Sequence, residues 1–269
     1  MPEVPTLLLT STETGLEAPS SAPAGRAVFR SVTTAEGQGW IGLARLEPGV
    51  GWPEFRERLA ATVSDDQDRI IEGMAGLDRA AHLLGGAVVH PDKPAEFTAD
   101  LVEGDHVLFD YPSTAAAGGT PRYQLLDVTG SAPVEGGAPQ ATIRSVLTSA
   151  GPRFELAGSP VAGAPLGFEN AMPRPYLFEA VLFPIADDVT EDVLAAYFAQ
   201  FVDGSGEWPP DPPFGLAEGT GCLPLSAGHS SVLTLAAPAG RYLVADWLKD
   251  PNDGVRLVKR GHFSVIELS

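Results

Sequence analysis

Apolar residues recur in short runs separated by Pro, Gly and Ser, and in the first part of the chain the runs have strand character. Pro5 to Thr12, Ala27 to Thr33 and Trp40 to Leu46 are rich in β-branched, aromatic and leucine positions, and the third is closed by Glu47-Pro48-Gly49. These features predict strands joined by turns. The period then changes. Ser64-Asp65-Asp66-Gln67 has the form of a capping box, and Ile70, Ile71, Met74, Leu77 and then His82 or Leu83 follow at helical spacing, which predicts a short amphipathic helix. Later, a strand over Leu177 to Phe183 precedes Thr190-Glu191-Asp192, a second helix start. Trp208-Pro209-Pro210-Asp211-Pro212-Pro213 is too proline-rich for either regular element.

The same pattern is written twice. Phe97 to Tyr111 returns as Leu233 to Trp247, with Gly104 and Gly240, Asp110 and Asp246, and Thr98 and Thr234 each 136 residues apart. Gly85 and Gly221 match at the same offset, while Ala24-Gly25 and Ala162-Gly163 match at 138. An offset drifting by a residue or two describes a tandem duplication with loop insertions, and a repeat of this length is a whole domain. The division is expected at 1–132 and 139–269, with a linker in Gly130 to Pro139 and strands resuming at Ala141-Thr142-Ile143. In Gly240-Arg241-Tyr242 the glycine permits a tight entry and the tyrosine hydroxyl is placed to form a tyrosine corner. His106 holds that position in the first half. The fold class expected is all-β with short helical insertions, as two tandem Greek-key β-sandwiches.

Composition narrows the partners. The 269 residues carry 17 Lys and Arg against 35 Asp and Glu, a formal charge of −18 that repels phosphate backbones and anionic lipid heads. Neither nucleic acid nor a membrane is an expected partner. The single cysteine, Cys222, reads as a small apolar filler. No apolar run approaches a membrane span, and MPEVPTLLLT lacks the basic and long apolar regions of a signal peptide, so a cytoplasmic location is expected.

The stretch from Pro238-Ala239-Gly240-Arg241-Tyr242 to Gly261-His262-Phe263 resembles the cupredoxin-like family of blue-copper proteins, and a weaker similarity runs over both halves. In that family a Pro-Gly-x-Tyr strand ends at a cysteine, and the following loop supplies a histidine and then a methionine. The resemblance places Asp246 and Asp110 at the cysteine, Leu257 and approximately Arg122 at the loop histidine, and His262 at the methionine. Gly39-Trp40-Ile41 and Pro175-Tyr176-Leu177 stand where another histidine usually opens a strand. A blue-copper centre needs a thiolate and two imidazoles, so the resemblance implies the shape without the copper, and no cofactor or metal is expected.

Of the remaining polar residues, Asp110 and Asp246 are the sharpest candidates, because alternation turns them toward the core. An inward carboxylate either accepts backbone hydrogen bonds from the next loop or acts as a general acid or base. Arg122 is expected to neutralise Asp110, with no counterpart in the second half. The five histidines have no ligand spacing; His229, among Ser226, Ser230 and Ser231, reads as a solvated hairpin turn. Gly219-Thr220-Gly221 reads as a strand boundary, and Asp250 to Gly254 as a turn. The expected function is a metal-free binding or assembly protein that engages a partner protein or itself through its insertions, near residues 50–84 and 187–218, where Trp208 and its prolines offer a contact surface. Two alternatives stand beside it. One is an enzyme using Asp110 or Asp246 as acid or base on a small molecule in the pocket left by the copper. The other is a metalloprotein using Asp246 and His262.

Overall fold

The computed structural model describes residues 4–116, 120–130, 138–203 and 207–269. In the first half, β1 (Thr6–Ser11), β2 (Leu16–Glu17), β3 (Ser21–Pro23), β4 (Gly25–Thr33) and β5 (Gly39–Leu46) lead into two helices, α1 (Trp52–Thr62) and α2 (Gln67–Ala80). Then come β6 (Ala81–Val89), β7 (Ala95–Leu101), β8 (Gly104–Asp110), the single turn α3 (Tyr111–Ala115) and β9 (Tyr123–Thr129). The second half repeats the order with β10 (Ala141–Thr148), β11 (Gly151–Ala157), β12 (Pro165–Asn170), β13 (Leu177–Pro184), α4 (Glu191–Phe198), β14 (Thr220–Ser226), β15 (Ser230–Thr234), β16 (Gly240–Ala245) and β17 (Phe263–Leu268). Most of the expected linker, 131–137, lies outside the described residues.

The strands form two mixed sheets, and each runs through both halves. One has eight strands in the order β11-β10-β12-β15-β7-β4-β1-β2; the other has nine, β17-β16-β13-β14-β6-β5-β8-β9-β3. Each half contributes a parallel pair in the same place, β1 with β4 and β10 with β12. The halves meet where counterpart strands pair antiparallel, β6 with β14 and β7 with β15. An antiparallel pairing of counterparts is the contact a two-fold axis produces, so the chain closes on itself as a homodimer of sandwiches would. Between the sheets, Phe29, Phe97, Phe168 and Phe178 are fully buried. Each such side chain contributes about 2–3 kcal/mol of transfer free energy.

The repeat is finer in the backbone than in the letters. Gly86 (φ +142°) and Gly221 (φ +147°) pair with Gly42 and Val181, and a Cβ on either would lie 2.1 Å and 2.2 Å from the carbonyl oxygens of the preceding residues, Ile41 and Ala180 respectively. Gly221 therefore answers to Gly86, not to Gly85 as the letter match has it. The neighbouring ladder agrees: Gly42 pairs with Phe109 as Val181 pairs with Ala245, which makes Ile41 equivalent to Ala180, and so Trp40 equivalent to Glu179.

The helices depart from expectation in detail. α2 is capped by Asp66, whose carboxylate accepts the Arg69 N–H at 2.9 Å, while Ser64 accepts from Asp66. It stops at Ala80, and His82 and Leu83 belong to β6. α1 was not foreseen, because it begins after Gly51 with a proline in its first turn and lacks a side-chain cap. α4 starts as expected, with Thr190 accepting from Val193 N–H. The tyrosine corner also forms, Tyr242 donating to the Pro238 carbonyl at 2.9 Å. In the first half His106 is buried and its Nδ1 lies 3.0 Å from the Gly104 carbonyl. Burial lowers the pKa of that imidazole.

Candidate functional site

β8 and β16 end in the same grammar, an acid followed by an aromatic residue, and the two members face different ways. Asp110 and Asp246 turn inward, at 1% and 0% exposure. Asp110 caps α3 by accepting the Ser113 N–H at 3.0 Å, and its other oxygen lies 2.8 Å from the Arg122 guanidinium. Arg122 also donates to the Thr12 carbonyl, tying β1's end to the same corner. Asp246 accepts the Leu248 N–H at 2.9 Å and the Glu179 N–H at 3.3 Å. The His262 Nδ1 is 3.0 Å away, so an imidazole from a different loop position stands beside this acid where the first half has the Arg122 guanidinium.

The residues matching the copper ligands converge without forming a copper site. His262 is fully buried; its Nε2 lies 2.8 Å from the Ser145 hydroxyl and its ring stacks on Phe154 at 4.2 Å. Leu257, where the loop histidine belongs, is buried and offers no donor atom. Cys222 is on β14, in the core, and burial pushes its thiol pKa up. A carboxylate and one imidazole, each already engaged by protein groups, do not match the thiolate and paired imidazoles of a blue-copper centre. Among the described residues no three His, Cys, Asp or Glu side chains come together as a ligand set.

The aromatic residues after the two acids, Tyr111 and Trp247, line a cleft between the halves. So do Trp40 and Glu179, the equivalent positions of β5 and β13. The cleft, of about 460 Å³, thus takes both of its wall pairs from counterpart positions of the repeat. Phe183 and the insertion residues Val63, Trp208 and Leu216 complete the apolar wall. Trp208 and Trp247 meet with ring centroids 4.7 Å apart at 48°, and Phe183 stands edge-on to Trp247 at 5.7 Å. Trp208 is 42% exposed, and the expected contact surface is therefore the rim of a cavity.

Among the described residues Glu179 is the one ionisable carboxyl in this wall. It shares a strand face with Val181 and Phe183, as alternation requires, and only Oε1 accepts a hydrogen bond among the described residues, from the Trp247 N–H at 3.1 Å. Burial, reinforced by the negative charge of Asp246, pushes its pKa up to about 8. Burial, with the negative charges of Glu179 and Asp246, does the same to the Tyr111 hydroxyl. Sequence reading passed over Glu179 because the repeat offset there has drifted to 139, so it aligns with no acid in the first half. The usable signal was an acid in an otherwise apolar strand, Leu177-Phe178-Glu179-Ala180-Val181-Leu182.

A second cluster spans the seam. His229 is half-buried, not solvated: its Nε2 lies 3.2 Å from His82 Nδ1, and His82 Nε2 lies 2.7 Å from a Glu47 carboxylate oxygen. Burial, with His82, Arg45 and Arg174 nearby, lowers the His229 pKa to about 4. Asp250 to Gly254 is a turn, Asp250 accepting the Asn252 N–H at 2.9 Å, and Gly219-Thr220-Gly221 opens β14.

No family model and no curated protein matches the chain. Among solved structures it is similar to auracyanin B, 19% identical over 50% of this chain and 93% of that one, with a TM-score of 0.27. An auracyanin from the photosynthetic bacterium Roseiflexus castenholzii is 17% identical over 49% and 99%, with a TM-score of 0.26. The copper nitrite reductase of Nitrosomonas europaea is 10% identical over 99% and 94%, with a TM-score of 0.25. These are similarities of outline, and function rests on the residues.

Proposed function

We propose that this chain is a metal-free binding protein that takes a small organic ligand into the cleft between its two repeats. The observation that supports this best is the composition of the cleft: an aromatic wall of about 460 Å³ broken by one buried carboxyl, Glu179, whose second oxygen has no hydrogen-bond partner among the described residues. A largely apolar concavity with one or two placed polar groups is the form small-molecule sites take. Both insertions reach it, through Val63 and through Trp208 and Leu216, which gives them a role that packing alone does not require. The acid–base reading of Asp110 and Asp246 has less support, since both carboxylates are sealed and held by backbone N–H groups. A cytoplasmic location belongs to the same proposal and is checked by fractionation.

Tryptophan fluorescence titrated with the neutral fluorophore N-phenyl-1-naphthylamine tests the reading. One probe per chain should bind, and Ala116→Trp, which places a bulky ring at the exposed lip, should abolish binding without altering stability. A chain that takes up no probe, or takes it up equally after the lip is filled, would refute it.

Self-association is a second reading, supported by Val193, Val202, Trp208 and Leu216 on the second insertion, which are 44%, 68%, 42% and 40% exposed. Sedimentation across a hundredfold concentration range decides it; an unchanging monomer removes it.

A further inference from the structure

Building on the small-ligand reading of the cleft, we infer that its ligand is an organic cation, specifically a tertiary or quaternary ammonium group seated against Trp40, Tyr111, Trp208 and Trp247 with Glu179 as counter-ion. Indole and phenol faces carry negative potential, and tryptophan binds cations best of the aromatic side chains. The ring planes of Trp208 and Trp247 are inclined at 48° to one another, a corner that a rounded cation fills better than a flat ring does. The same aromatic cluster already holds one cation just outside the cleft: the Arg256 guanidinium lies 5.2 Å from the centre of the Phe201 ring, which in turn packs on Trp208 at 5.4 Å.

The polar groups choose among ligand classes. Among the described residues no Lys or Arg lines the cleft, so the only ionisable carboxylate or cation an anion would meet there is the Glu179 carboxyl. A neutral apolar ligand would seal one carboxyl oxygen away from water without a donor, a cost that burial makes large. A primary ammonium has three N–H donors to satisfy. The Gln38 side-chain N–H is committed to the Ala217 carbonyl at 2.9 Å, so among the described residues the cleft wall sets little more than the second Glu179 oxygen and the Gln38 amide oxygen against those donors, and is otherwise mainly aromatic and aliphatic. An alkylated ammonium has few donors or none and buries its methyl groups against the rings. Its charge also stabilises the ionised form of Glu179, reversing the effect of desolvation. The chain's formal charge of −18 draws such a ligand in from a distance at low salt.

Calorimetric titration with choline and with its uncharged isostere 3,3-dimethylbutan-1-ol, in two buffers of different ionisation enthalpy, tests the inference. Choline should bind at least tenfold more tightly than the isostere and release a proton near pH 7. Glu179→Gln should cut choline affinity at least tenfold, abolish proton release and leave the isostere unaffected. Trp208→Leu, at an exposed ring, gives a second readout should Glu179→Gln fail to fold, and should weaken choline by a similar factor. Equal affinity for the two compounds, or binding of the naphthylamine with none of choline, would overturn the cation inference and leave the small-ligand reading standing. Failure of all three probes to bind would overturn both.

Discussion

Asp246 and His262 face each other across 3.0 Å with neither side chain exposed to solvent. The same carboxylate accepts the N–H groups of Glu179 and Leu248, so one side chain joins β13, the end of β16 and the loop before β17. Removing it leaves two buried backbone donors and one imidazole nitrogen, His262 Nδ1, without a partner. Asp246→Ala should therefore cost about 3 kcal/mol or more, and Asp246→Asn, which keeps one acceptor, about 1–2 kcal/mol. Urea denaturation measures both; a loss below about 1 kcal/mol for the alanine variant would show that the acid is not a structural tie.

Glu179 should tilt stability on the basic side. Its pKa lies near 4.5 when unfolded and is raised to about 8 by burial in the fold. The native chain thus holds a proton that the unfolded chain has released. Stability conferred on the neutral form is full below pH 4.5 and is lost as pH rises toward 8, by at most about 1.4 kcal/mol per pH unit. Glu179→Gln removes that slope. Thermal melts of both proteins from pH 4 to 9 should diverge through this window, the variant being the more stable at the alkaline end; parallel curves contradict the raised pKa.

His229 acts on the acidic side with the opposite sign. Its folded pKa is lowered to about 4 from 6.5, chiefly by burial, so the unfolded chain takes up a proton that the native chain refuses. The neutral seam is therefore intact above pH 6.5 and weakens as pH falls toward 4. His229→Gln should flatten the acid limb of the same melting series, leaving the basic limb unchanged.

Cys222 is fully buried against the seam glycines, and burial raises its pKa, which keeps it a thiol. A disulfide-exchange reagent at pH 8 should react with less than a tenth of it in an hour under native conditions, and with all of it in 6 M guanidinium. Prompt labelling of the native chain would mean that the β6–β14 seam opens.

The tandem repeat, the strand-rich character, the start of α4 and the inward turn of Asp110 and Asp246 were all legible in the letters. Each depends on local spacing: a period of two sends alternate side chains to one face, and Thr190 caps a helix from within its own turn. α1 was hidden because it has no side-chain cap and opens with Gly51-Trp52-Pro53, letters that equally mark a turn. The partner of Asp246 was hidden for another reason. Arg122 and His262 stand at unlike distances from their acids, so no repeat offset connects them.

By itself the sequence determined that the molecule is a duplicated sandwich, where its acids point, and that a blue-copper donor set is missing, since these follow from residue type and period. Only the tertiary structure decided that the halves fuse into two continuous sheets, that Glu179 stands opposite Trp40 in a shared cleft, and that His229 pairs with His82. Such contacts join residues up to 147 positions apart. They arise from strand register and from a repeat offset that is 136 between β8 and β16 but 139 between β5 and β13, which carry no signature in any single segment.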